Sequence, residues 1–266
     1  MELDDAYANA AYIPGSDDYI VRWSSLAQAF RDTLQAQGRA ELDVSYGSSA
    51  RQAFDLFLPE GEAKGLMIFV HGGYWLRFDK SSWSHLAQGA LERGWAVAMP
   101  SYDLCPDVSI REIIQQIATM IPQAARHVEG PIVLSGHSAG GHLVARMAVP
   151  GLLPPEVVVR LSRVMPISPV ADLRPMLKTS MNAQFKLSIM EAASDSPTLM
   201  LPMPGVDVVV WVGGDERPVF LEQAKMLGNA WRSPCVVDPG RHHFDVIEGL
   251  AAGDSEMIER LLGPQD

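Results

Sequence analysis

Hydrophobic and polar positions change period several times along the chain, and the order of those changes predicts its layers. Ile20, Trp23, Leu26, Ala27, Phe30 and Leu34 recur at helical spacing, with Asp18 as a cap and Gly38 as a stop, and predict a helix through about Gln37. Residues 40–46 and 52–58 then read as two strands around Gly47-Ser48-Ser49, an antiparallel hairpin at a sheet edge. Short apolar runs follow at 65–70, 95–100, 131–135, 163–167, 206–212 and 234–238. Helical patterns fall between or after them, near 79–93, 109–127, 140–149, 216–231 and 245–262. This alternation predicts α/β architecture: a doubly wound, mostly parallel sheet with helices on both faces. Residues 150–205 fit the rhythm least. The stretch from about 172 to 204, rich in Pro and Met, reads as a small lid or insertion in one domain spanning residues 1–266.

Composition narrows the function classes. Twenty-one Lys and Arg stand against 32 Asp and Glu, a net charge of −11, which repels phosphate backbones and anionic lipid. Nucleic-acid and membrane partners are not expected. Cys105 and Cys235 have no metal-type spacing, and the acidic start Met1-Glu2-Leu3-Asp4-Asp5 precedes no long apolar run, so a reduced, cytoplasmic setting is the expectation.

Candidate chemistry concentrates at strand ends. Gly136-His137-Ser138-Ala139-Gly140 follows the strand Pro131–Ser135 and precedes an apolar helical run. A serine framed by small residues between strand and helix reads as a nucleophile elbow, in which a strained turn projects the hydroxyl. Ser138 is therefore the candidate nucleophile. A serine hydroxyl needs an imidazole base and a carboxylate that orients it, and in this architecture both lie downstream in the order nucleophile, acid, histidine. Val206–Val212 breaks at Gly213-Gly214 and places Asp215 just past a strand end, which makes Asp215 the predicted acid, ahead of Asp172 in a helix-capping turn. The loop Pro239-Gly240-Arg241-His242-His243-Phe244 supplies the base as one of two adjacent histidines. His137 is expected to lie beneath the elbow in a supporting role.

A second signal is His71-Gly72-Gly73-Tyr74-Trp75, directly after the strand Leu66–Val70. Acyl transfer passes through an oxyanion, and loss of one fixed donor to it costs roughly 2.7–4 kcal/mol. The expected donors are the amides of Gly73, Tyr74 and Ala139, with His71 orienting the loop. Tyr74, Trp75 and Phe78, with Met181 and Phe185 from the lid, are candidate walls for a flat aromatic leaving group; core or dimer packing is their alternative use.

Together these residues resemble the α/β-hydrolases of the esterase and lipase superfamily, and within it the arylformamidase (kynurenine formamidase) group. The marks are His71-Gly72-Gly73-Tyr74-Trp75, Gly136–Gly141, Gly213-Gly214-Asp215-Glu216 and His243-Phe244. The resemblance implies an α/β-hydrolase fold and the set Ser138, Asp215 and His243, with His242 as the alternative base. It also implies hydrolysis of a small ester or aryl formamide through an acyl-enzyme, without metal or organic cofactor. A general short-chain carboxylesterase or thioesterase with the same residues, and a catalytically inactive binding protein on this fold, are the competing readings.

Overall fold

In a computed structural model that describes residues 1–264, nine strands form one sheet. They are β1 (Ala40–Ser45), β2 (Ala53–Phe57), β3 (Leu66–Val70), β4 (Ala96–Pro100), β5 (Ile132–His137), β6 (Leu161–Ile167), β7 (Asp207–Val208), β8 (Val210–Gly213) and β9 (Cys235–Asp238). The spatial order is β1-β2-β4-β3-β5-β6-β8-β9, with β7 alongside β6. Only β1–β2 and β2–β4 pair antiparallel, so the hairpin expected at the edge stands there and the rest is parallel. The last two residues lie outside the described part.

The continuous apolar runs have a direct physical use. In β3, Leu66, Ile68 and Val70 face one core while Met67 and Phe69 face the other, and in β4 Ala96 and Ala98 oppose Val97 and Met99 in the same way. A strand covered on both faces needs no polar alternation. One face is covered by α3 (Ile110–Ala124), started by a reciprocal Ser109–Glu112 capping box, by α4 (Ala139–Met147) and by α8 (Pro218–Trp231). The other carries α1 (Ser16–Ala36), α2 (Gln88–Glu92) and α9 (Glu256–Leu262).

Two predicted helices are shorter than their apolar patterns. Over 79–93, two 3₁₀ turns precede α2, because the side chain of Asp79 captures the Ser81 amide and Trp83 leaves helical geometry. Over 245–262, a 3₁₀ turn at Glu248–Ala251 is separated from α9, which Ser255 restarts by accepting from the Ile258 amide. The Pro- and Met-rich stretch between β6 and β7 folds as short turns and helices, including α6 (Asn182–Phe185) and α7 (Ile189–Ser194), after the brief α5 (Pro155–Val158).

Parallel register sets up the site. Val70 lies opposite Gly136 and His137 opposite Ile167, while Gly213 lies opposite Asp238, so the carboxyl ends of β3, β5, β6, β8 and β9 meet at one rim. Glycine makes the closest approach possible. A Cβ on Gly140 would sit 2.0 Å from the Val70 carbonyl oxygen and 2.5 Å from that of His71, both rigid backbone atoms. Gly140→Ala must push α4 away from β3, an overpacking cost of about 1–3 kcal/mol. Differential scanning calorimetry should show a melting midpoint about 2 °C or more below wild type; an unchanged midpoint would mean the contact relaxes freely.

Candidate active site

Ser138 occupies the turn between β5 and α4 with φ +56° and ψ −114°, a backbone strain that a serine adopts only when its surroundings enforce it. The enforcement comes from both sides. A Cβ on Gly136 would meet the Gly140 carbonyl oxygen at 2.4 Å, and Gly141 is similarly pressed against the Ile167 carbonyl oxygen. Ser138 is buried, and its amide donates to the Ile167 carbonyl.

The loop after β3 lies against this turn. A Cβ on Gly72 would fall 3.0 Å from the His137 carbonyl oxygen and 3.2 Å from Ser138 Cβ, so the glycine backbone stands directly beside the serine. Gly73 adopts φ +108°, and a Cβ there would strike the Arg77 carbonyl oxygen at 2.4 Å. Tyr74 and Trp75 also take positive φ. Among the described residues the amides of Gly73 and Tyr74 donate to no backbone carbonyl, and that of Ala139 opens α4, where first-turn amides have no partner inside the helix. His71 braces the loop: its Nδ1 donates to the Gly72 carbonyl at 2.7 Å, and its ring stacks on Tyr102 at 4.3 Å between centroids. The Tyr102 hydroxyl in turn donates to the His71 carbonyl at 2.9 Å.

Of the two adjacent histidines, His243 is the one at the site. It is buried, lines a cavity of about 440 Å³ together with Ser138, and its ring lies 4.6 Å from that of His137. His242 points elsewhere, its Nε2 on the Tyr19 hydroxyl at 3.1 Å and its Nδ1 accepting the amides of Phe244 and Asp245.

The carboxylate on His243 is Glu216, and the expectation of Asp215 is corrected by one residue. His243 Nδ1 donates to Glu216 Oε2 at 2.6 Å, while the other carboxylate oxygen accepts the Gly213 amide at 3.0 Å and the Ser168 hydroxyl. Asp215 is exposed because its amide is tied to the Arg241 carbonyl at 2.9 Å, a turn that sends one side chain outward and the next inward. The order rule located the loop but could not choose between neighbouring carboxylates. Ser168, buried with φ +46° and bonded to Glu216, carried no motif in the sequence. Asp172 accepts from the Arg174 amide and guanidinium, the local turn expected of it.

The aromatic walls divide. Tyr74 and Phe78 line the cavity, as does Met181 from the stretch after β6. Trp75 and Phe185 do not: Trp75 is fully buried, with its ring edge-on to Phe185 at 5.6 Å and to His142 at 5.2 Å, so both are core. Much of the remaining wall comes from an unexpected source, the segment before α1, which contributes Asp4, Tyr7, Ala8, Asn9 and Ala11. Among the described residues no group of three or more His, Cys, Asp or Glu is disposed to hold a metal, and no helix is long and apolar enough to cross a membrane.

Burial holds the imidazoles around the serine neutral. Desolvation pushes His71 down to about 4, His142 down to about 3, and His137, which also feels nearby His243, well below the ordinary range. An unfolded chain protonates these rings near pH 6.5, so below that pH it binds more protons than the folded one. Stability should therefore fall as pH drops from about 6.5 toward 4, each ring contributing up to about 1.4 kcal/mol per pH unit. Urea unfolding at pH 7 and 5.5 measures the slope. His142→Gln, whose amide can still donate to the Asp195 carbonyl that His142 Nε2 reaches at 2.8 Å, should reduce it by one proton.

Comparison with known proteins places the chain among esterases by sequence and fold. The BD-FAE family model matches residues 54–155, from β2 through the elbow and α4. Kynurenine formamidase of Salmo salar is 29% identical over 249 residues, covering 86% of this chain and 84% of that protein, and kynurenine formamidase of Danio rerio is 26% identical, covering 98% and 94%. A crystal structure from Silicibacter sp. tm1040, provisionally described as a thioesterase, superposes with a TM-score of 0.97 at 56% identity, over 99% of this chain and 100% of that one. Esterase B of Lactobacillus rhamnosis shares the fold at 17% identity, with a TM-score of 0.64 over 88% of this chain and 92% of its own. By these similarities the chain belongs to the α/β-hydrolase esterases.

Proposed function

We propose that this protein is a serine hydrolase cleaving small carboxylic esters or aryl formamides through an acyl-enzyme, with Ser138, His243 and Glu216 as its catalytic residues. The observation that carries the reading is the 2.6 Å contact of His243 Nδ1 with buried Glu216, on an imidazole that lines one cavity with a strained serine. With Nδ1 engaged, Nε2 is the nitrogen left for proton transfer. It takes the Ser138 proton as Oγ adds to the acyl carbon. The amides of Gly73, Tyr74 and Ala139 receive the developing oxyanion, and the same Nε2–H then protonates the leaving oxygen or nitrogen. Water repeats the sequence on the acyl-serine, releasing formate or a short acid. Glu216 keeps the imidazole oriented and offsets its transient positive charge in a site where burial strengthens that attraction.

A small acyl bond with an aromatic leaving group suits a cavity of about 440 Å³ walled by Tyr74, Phe78 and Trp83. Similarity to kynurenine formamidases over most of the chain supports an aryl formamide. Thioester cleavage is the second reading, supported by the 56% identical protein described provisionally as a thioesterase. Rates on N-formylkynurenine, p-nitrophenyl acetate and a short acyl-CoA rank the three.

Ser138→Ala should lose at least about 10⁴-fold in kcat with its melting midpoint near wild type, since the hydroxyl is not a packing element. Substantial residual turnover would overturn the mechanism. Glu216→Gln should lose roughly 10³- to 10⁴-fold in kcat by leaving the imidazole in the wrong tautomer, whereas Asp215→Asn should stay within about threefold of wild type. The reverse pattern would restore Asp215 as the acid.

A further inference from the structure

We infer that the segment formed by residues 3–20, ahead of and opening α1, is the selector of the leaving group for the hydrolase site proposed above, on which this inference rests. This segment has no place in the strand-and-helix alternation, yet it closes one side of the cavity through Tyr7, Ala8, Asn9, Ala11 and Ile20. It is held on three sides. The Leu3 amide donates to the Lys178 carbonyl at 3.3 Å, and the Ser180 amide to Asp4 at 2.6 Å, joining it to the stretch after β6. Arg217 pairs with Asp5 at 2.9 Å at the start of α8, and the Gln223 side chain donates to the Tyr7 hydroxyl at 3.0 Å. The Tyr74 hydroxyl donates to the Tyr7 carbonyl at 2.7 Å, so the loop whose amides face the oxyanion also fastens this wall.

Its position relative to the histidine decides what it reads. Tyr7 packs edge-on to Phe220 at 5.8 Å, and Phe220 lies 4.3 Å from the His243 ring. Tyr19, near the other end of the segment, packs edge-on to Phe244 at 5.9 Å. The segment therefore flanks the imidazole, and the imidazole is the group that protonates the departing atom. A wall on that side touches the leaving group, which is gone before the acyl-serine meets water. Beside the polar Asp4, Asn9, Ser16 and Asp17, its Tyr7, alanines and Ile20 present an apolar face that favours a flat aromatic leaving group over a small alkyl one. Selection by this wall appears in acylation and is absent from deacylation.

Ethyl acetate and 2-naphthyl acetate test the assignment, because both give the same acetyl-Ser138 and differ only in what departs. Ala11 is exposed to solvent and Ile20 is 40% exposed, so changes at either position should leave the fold intact. Ala11→Phe, which fills the wall, should lower the ratio of kcat/KM for 2-naphthyl over ethyl acetate by at least about tenfold. Ile20→Ala, which widens it, should raise the same ratio. The rate of acetyl-enzyme hydrolysis, followed by mass spectrometry, should match wild type in both. Equal losses on the two esters, or a ratio unmoved by either variant, would overturn the selector while leaving the hydrolase reading in place. A wild-type protein that never acquires an acetyl group on Ser138 would overturn both.

Discussion

The close approach of two backbones, β3 to the elbow after β5, is the constraint on which the rest of the site depends. A methyl group at Gly140 would lie 2.0 Å from the Val70 carbonyl oxygen, so only glycine lets helix and strand touch. The parallel pairing of Val70 with Gly136 keeps the two strand ends flush. Together they bring Gly72 against the serine side chain and hold Ser138 at a positive φ. A donor for an oxyanion is worth several kcal/mol only when it is already in place, and in the proposed mechanism rigid strands make that placement.

Around that contact the interior is arranged to avoid spare charge. His71, His137 and His142 are buried and neutral, and each leaves one ring nitrogen without a protein partner. Glu216 is the carboxylate admitted to the base, and its oxygens are accounted for by His243, Ser168 and the Gly213 amide. A carboxylate tolerates burial when its acceptor sites are filled in this way. The net charge of −11 therefore says little about the inner part of the site, where buried neutral rings surround the His243–Glu216 pair and the charged Asp4, Asp17 and Arg77 belong to the cavity wall.

Walls are supplied by two segments that the regular alternation does not contain. The stretch after β6 brings Met181 to the cavity, and the segment ahead of α1 closes the opposite part. The two are tied to each other by hydrogen bonds from the Leu3 and Ser180 amides, and the first is held to the start of α8 by the Arg217–Asp5 ion pair. In the proposed mechanism the work divides between a rigid rim of strand ends, which positions the reacting atoms, and tethered loops, which shape the space beside them.

The apolar runs, their order and the glycines at fixed offsets from Ser138 and His71 were legible in the sequence, because strand burial and close backbone approach restrict residue type locally. The edge hairpin, the parallel sheet, the loop carrying the carboxylate and the loop carrying His243 all follow from that local information. Three things did not. Asp215 and Glu216 are adjacent carboxylates, and only the turn fixed by the Arg241 carbonyl decides which one faces inward. Trp75 and Phe185 have the composition of a binding wall but pack on each other in the core. The segment containing Tyr7 reaches the site through partners more than sixty residues away, among them Tyr74 and Gln223. Residue type at a backbone contact is a local property that the chain encodes directly, whereas the direction of a side chain out of a turn and the landing place of a loop are settled by the atoms that meet it after folding.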